Sequence, residues 1–229
     1  MRTLSEEYLL IAWGDETGRP RVDSTHLSGG LAGAVLLQLV LDGYLAVNTP
    51  NPTKPTKVVL ARTGLTCTDP LLAQVIDLAD GRTPTSAVSR VAGFTTFRNR
   101  MNDLKAAMFD RLERDGVLER GRGRFAGVFP VTTHLPKDPR IEAEIRQRLD
   151  AALLGNQEPD ERTAALIGLL SASALLQRGY PREQRKAVKA RATEISAGDW
   201  ASRAVRQAVE EVVSAVIAAT TAATVAGSS

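Results

Sequence analysis

A mainly α-helical single domain, built of amphipathic helices around a central buried helical bundle and carrying one small β-hairpin, is the fold class this sequence predicts. Three observations carry the prediction. Two segments, about 28–42 and 163–177, are apolar on every side at helical length, and such helices belong at the centre of a bundle. Several further segments repeat apolar residues at helical spacing, and strand signals are sparse.

In chain order, Thr3-Leu-Ser-Glu6 is a capping-box pattern that leads into an apolar run ending at Trp13, so a short buried helix should open the fold. Gly14 to Gly18 reads as a turn, and Arg19 to Asp23 as extended chain. Ser28 is the expected cap of the second helix, with Gly43 as its stop. Pro50, Pro52 and Pro55 mark a rigid loop, and Lys57 to Ala61 suggests a strand. Asp69-Pro70 and Thr83-Pro84 each place a capping side chain before a proline at the first helical position. Leu72, Val75, Ile76 and Ala79 would form the buried face after the first of them. From about Thr96 to Asp115, Met101, Leu104, Met108 and Leu112 recur at helical spacing, closed by Gly116. The run Arg120-Gly-Arg-Gly-Arg124 is expected to be the turn of the hairpin. Ile141, Ile145, Leu149 and Leu153 form another stripe, as do Val205, Val209, Val212, Val216 and Ala219. No linker divides the chain, so residues 1–226 should be one domain and 227–229 a disordered tail.

The 229 residues are 43% hydrophobic and 24% charged, which excludes a disordered or fibrous chain. One cysteine excludes an internal disulfide framework and any Cys-rich zinc site; Cys67 is read as a small core residue. The N-terminal residues place two acids before any apolar run, unlike a secretory signal, so a cytoplasmic protein is expected. The apolar runs 31–41 and 212–226 are shorter than the roughly 20 residues that cross a bilayer, and no transmembrane segment is expected. An arginine-rich, lysine-poor usage, 23 to 6, points to a GC-rich bacterial genome.

Catalytic patterns are missing. Neither His26 nor His134 sits in a nucleophile, P-loop or metalloprotease motif, and both are read as structural or exposed. Gly29, Gly30 and Gly33 lack the strand and Lys-Ser/Thr of a phosphate loop and are read as helix-packing positions. The pairs Glu6-Glu7 and Glu210-Glu211 are expected to be solvated. No enzyme and no cofactor are expected.

Basic residues are more informative, within a net charge of +3. Arg111, Arg114, Arg120, Arg122 and Arg124 crowd one helix end and the hairpin, where Phe125, Val128 and Phe129 follow. Arginines at a tip with aromatics on the arms can meet a phosphate plane and the apolar layer beneath it. The same geometry suits a winged-helix nucleic-acid binder, although Asp103, Asp110 and Glu113 on the preceding helix would repel phosphates. A second cluster, Arg178, Arg182, Arg185, Lys186, Lys189 and Arg191, reads as solvated surface.

The order of motifs carries a resemblance. Leu4-Ser-Glu-Glu-Tyr-Leu-Leu10, Leu27-Ser-Gly-Gly-Leu-Ala-Gly33, Leu39-Val-Leu-Asp-Gly-Tyr-Leu45, Leu112-Glu-Arg-Asp-Gly-Val-Leu118 and Val131-Thr-Thr-His134, together with the helix from Asp160 to Ser173, resemble the Golgi phosphoprotein 3 family over about residues 3–220. The resemblance implies helices wrapped round a helical bundle. It also implies a non-enzymatic peripheral membrane protein that, in eukaryotic members, binds phosphatidylinositol 4-phosphate and retains glycosyltransferases through their tails. The family's lipid-contacting tryptophan falls on Asp23, and its three arginines on Ala32, Asn102 and Lys105, so only Lys105 keeps the charge. Nearby Arg98, Arg100 and Arg21 are the substitute head-group ligands, and Arg122, Arg124, Phe125, Val128 and Phe129 the membrane-contact hairpin. The expected partner is an anionic phospholipid surface, with protein clients or self-association compatible with the same scaffold. The alternatives are the nucleic-acid binder and a protein-tail adaptor without lipid specificity.

Overall fold

The computed structural model describes residues 2–14, 18–48, 59–94, 100–125 and 129–226. The first helix, α1 (Leu4–Ala12), starts where the capping box puts it: the Thr3 hydroxyl accepts from the Glu6 amide, and the Glu6 carboxylate accepts from the Thr3 amide. All nine of its residues are buried, Glu6 and Glu7 included, which corrects the expectation that this pair is solvated. Burial is tolerable because each acid meets a guanidinium. Glu7 accepts from Arg148 at 2.7 Å and pairs with Arg162 at 3.2 Å, while Glu6 lies 3.6 Å from Arg111.

A short antiparallel pair, β1 (Trp13–Gly14) with β2 (Arg19–Pro20), returns the chain to α2 (Ser24–Leu41). Asp23, not Ser28, caps that helix, because its carboxylate accepts from the amides of both Thr25 and His26 and so begins the helix five residues earlier. Gly43, at φ +77°, supplies the left-handed stop. Helix α2 is the core of the molecule. A Cβ on Gly30 would overlap the Tyr8 ring and hydroxyl of α1, and one on Gly33 would overlap Val216 and Leu169. The glycines are therefore packing positions, as read from the sequence.

Strand β3 (Leu45–Asn48) pairs with β4 (Val59–Arg62), and only the second was legible beforehand. The proline loop, 50–55, and the tail, 227–229, lie outside the described residues. Helices α3 (Pro70–Ala79) and α4 (Pro84–Val91) start at their Asp69-Pro70 and Thr83-Pro84 signals. Helix α5 (Arg100–Arg114) buries Met101, Leu104, Met108 and Leu112 and ends before Gly116, at φ +71°. Then come β5 (Leu118–Phe125), β6 (Phe129–Pro136) and α6 (Pro139–Leu153). Helix α7 (Glu161–Ala172) is fully buried along its middle but stops short of Gln177, since Ala174 turns to φ +57° and a 3-10 turn (Leu176–Gly179) follows. Two helices, α8 (Arg185–Ala197) and α9 (Arg203–Ala226), complete the chain.

Around α2 pack α1, α4, α7 and above all α9, while α6 and α8 cover α7 from outside. Both α2 and α9 are long and apolar enough to cross a membrane by length and composition, longer than the apolar runs inside them suggest. Most of α2 is inside the protein, and α9 lays Val209, Val212, Val216 and Ala219 against the core. The result is one mainly α-helical domain with small antiparallel hairpins.

Replacing Gly30 by alanine should lower the unfolding free energy by about 1–3 kcal/mol, the usual cost of overpacking. Adding Tyr8→Phe should recover part of that loss, which urea denaturation of the single and double variants will measure.

Candidate functional site

Helix α5 and the hairpin beside it hold most of the sequence-derived site. On α5 the buried stripe leaves Asn102 and Asp103 exposed and Lys105 half-buried. Lys105 has neither a hydrogen bond nor an ion pair among the described residues, and burial pulls its amine below the ordinary lysine value. Four residues on, Phe109 shares that side of the helix. Its ring stands edge-on to Trp13, 4.6 Å between centroids, and lies flat on the His134 imidazole at 3.7 Å. Sequence reading missed this aromatic cluster, although Phe109 directly follows Met108 of the buried stripe.

Charge around the cluster is largely consumed internally. The His134 Nδ1 and Glu113 are 2.8 Å apart. Arg120, facing His134 across the strand pair, donates to Asp110 at 2.6 Å and to Glu113 at 3.2 Å. Arg21 donates through Nε to the Trp13 carbonyl at 3.0 Å and lies 3.5 Å from Glu142, which also takes Arg146 at 2.8 Å. Arg111 pairs with Glu6 and Asp69. Of the basic groups crowded here in the sequence, Lys105 and Arg114 have no carboxylate partner among the described residues.

The hairpin departs from expectation. Arg120 to Arg124 is not its turn but the middle of β5, paired Arg120 with His134, Arg122 with Thr132 and Arg124 with Pro130, while Phe125 and Phe129 form the closing pair. The alternation of arginine and glycine has the period of a strand, and glycine fits where Thr133 crowds position 121. Arginines thus line the arm, and aromatics stand toward the tip. Of Arg100, Arg122, Arg124, Phe125 and Phe129 the backbone alone is described; Arg98 and Val128 lie outside the described residues.

The positions carried over from the resemblance have other work. Asp23 caps α2 and pairs with His26 at 2.7 Å; burial opposes ionisation there, but the His26 and Thr25 contacts hold its carboxyl below the usual range. Ala32 is fully buried. The exposed side of α5 presents Asp103 and Asp110, the latter tied to Arg120, which is the wrong charge for a helix entering a DNA groove. Among the described residues no group of three or more His, Cys, Asp or Glu side chains could hold a metal ion.

Residues 4–212 match the family model described as Golgi phosphoprotein 3 (GPP34). A match over that much of the chain places it in the family: this protein belongs to the Golgi phosphoprotein 3 family.

His134 gives the site a pH signature. Burial, which outweighs the Glu113 contact, holds its imidazole below the ordinary value of about 6.5. The fold therefore favours the neutral ring, so its stabilising contribution is complete above that value and falls away as the pH drops through the depressed one. An NMR titration of His134 should give a midpoint below about 6.5. The stability difference between the protein and His134→Gln should shrink on acidification.

Proposed function

We propose that this member of the Golgi phosphoprotein 3 family is a non-enzymatic, peripheral binder of anionic phospholipid head groups, engaging the membrane through the start of α5 and the β5–β6 hairpin. The observation that carries the reading is Lys105. A cation held half out of water without a carboxylate partner gains most from an external anion, and it occupies a position that the family resemblance assigns to head-group binding. Arg98 and Arg100, just before it, and Arg122 and Arg124 on the hairpin extend the cationic surface; Phe125, Val128 and Phe129 supply apolar contact at the interface. Arg21 joins through its own unit, since it is fixed to the Trp13 carbonyl beside the Phe109 ring.

With Asp23, Ala32 and Asn102 in place of the family's other ligands, the reading favours phosphate-bearing lipids as a class, phosphatidylinositol 4-phosphate among them, over one head group. A cytoplasmic bacterial protein recruited to the inner leaflet, with room for protein clients, fits this chemistry.

Each cation at an anionic surface contributes about 1 kcal/mol. Lys105→Glu should therefore weaken binding to vesicles containing phosphatidylglycerol or phosphatidylinositol 4-phosphate by about 2 kcal/mol, roughly thirty-fold. Lys105→Arg should bind like the original protein. Co-sedimentation that is the same on neutral phosphatidylcholine and anionic vesicles, or absent from both, would overturn the reading.

A further inference from the structure

A second cavity is lined by none of the residues assigned to that surface. Between α6, α7, the 3-10 turn and the start of α8 is a cavity of about 360 Å³. This falls within the roughly 300–1,000 Å³ range of small-molecule sites, and at about 30 Å³ each it has room for about a dozen water-sized groups. Its floor is apolar: Ile11, Leu149, Leu170 and Leu176 are all almost fully buried, and Leu154, 47% exposed, stands at the mouth. Arg146, Asp150, Tyr180 and Gln184 form the polar side. A long apolar floor with polar groups confined to one side suits a ligand that is itself divided into chain and head.

The sign of the head follows from the charges. Arg146 lines the cavity with its guanidinium fixed on Glu142, and Arg185 donates to the Tyr180 carbonyl at 3.0 Å, on the rim. Arg178, Arg182, Lys186 and Lys189 flank the lining residues Tyr180, Pro181 and Gln184 in the sequence, with Glu183 the one acid between them, and Arg178 donates to the Arg21 carbonyl at 2.6 Å. None of these four, nor Arg185, pairs with a carboxylate among the described residues. Among the described residues Asp150 is the one acid lining the cavity, and it accepts the Tyr180 hydroxyl at 2.7 Å. Burial, and then that carboxylate, raises the Tyr180 phenol, so it remains a protonated donor directed at Asp150.

We infer that this cavity binds a single-chain amphiphile with an anionic head, the chain lying on the α6–α7 leucines and the head among Arg146, Arg182 and Arg185. The second basic cluster of the sequence then has a role beyond solvation, independent of Lys105 and the hairpin.

Calorimetric titration of the full chain with dodecanoate, lauroyl lysophosphatidate and dodecyltrimethylammonium, each below its micelle concentration, tests the inference. Dodecanoate should bind, and the quaternary ammonium should bind at least about tenfold more weakly. Leu154→Trp, filling the mouth from a solvent-facing position, should abolish binding while circular dichroism stays unchanged. Arg182→Glu should weaken dodecanoate about fivefold or more, and Asp150→Asn should strengthen it. Equal affinity for the two anionic ligands would identify a free carboxylate as sufficient, and a lysophosphatidate preference of about tenfold or more a lipid phosphate; both support the site. Lys105→Glu should leave dodecanoate binding unchanged, which separates this result from vesicle binding. Tighter binding of the ammonium ligand, binding indifferent to Leu154→Trp, or no binding by any ligand would overturn it.

Discussion

Close approach of helices at the glycine face of α2 is the constraint on which the rest of the molecule depends. At Gly30 the helix admits the Tyr8 ring of α1, and at Gly29 and Gly33 it admits Thr220 and Val216 of α9. Gly168 of α7 repeats the device against Val213 of α9. A side chain at any of these positions would push two helices apart and open voids in a core that gains stability only at near-crystalline density. Because α9 is wedged between α2, α4 and α7, the whole bundle takes its spacing from these few missing Cβ atoms.

That tight centre dictates where charge can go. Helix α1 is enclosed, so Glu6 and Glu7 must draw guanidinium groups inward, from Arg111 on α5 and from Arg148 and Arg162 on α6 and α7. Arg21 and Arg146 converge on Glu142 in the same way. These pairs fix helix positions more than they add free energy, since desolvation offsets much of their attraction, whereas removing one partner would strand a buried charge. They also sort the arginines. Those paired with internal acids are held in place by them, whereas Lys105, Arg114 and the 178–189 cluster are among the cations with no carboxylate partner among the described residues.

Local features were legible in the sequence because they are encoded within a turn or two. The Thr3 box, the Asp69-Pro70 and Thr83-Pro84 starts, the Gly43 and Gly116 stops and the α5 stripe all depend on neighbours three or four residues away. What was missed depends on distance along the chain. Glu7 looks like a solvated helix acid until Arg148, 141 residues later, is brought to it. The stacking of His134 on Phe109 joins a strand to a helix, and nothing in either segment announces it. The cavity beside α8 likewise needs α1, α6 and α7 assembled before it exists. Asp23 is the converse case: its capping role was local and readable, but Ser28 in front of the apolar run offered a competing start. The carboxylate wins by accepting two amides at once.

The two groups of unpaired cations differ physically in a way that net charge conceals. Lys105 is half-buried, so its field reaches an adjacent anion through protein as well as water and is screened weakly. Arg182, Lys186 and Lys189 are exposed, and at physiological salt their attraction fades beyond about 8 Å. The first arrangement suits retention of an anion already in contact, at the cost of a depressed amine pKa. The second suits gathering anions from solution toward a mouth whose affinity must then come from apolar burial. A net charge of +3 therefore describes neither surface. The buried acids of α1 and α6 decide which of these cations are left without a carboxylate.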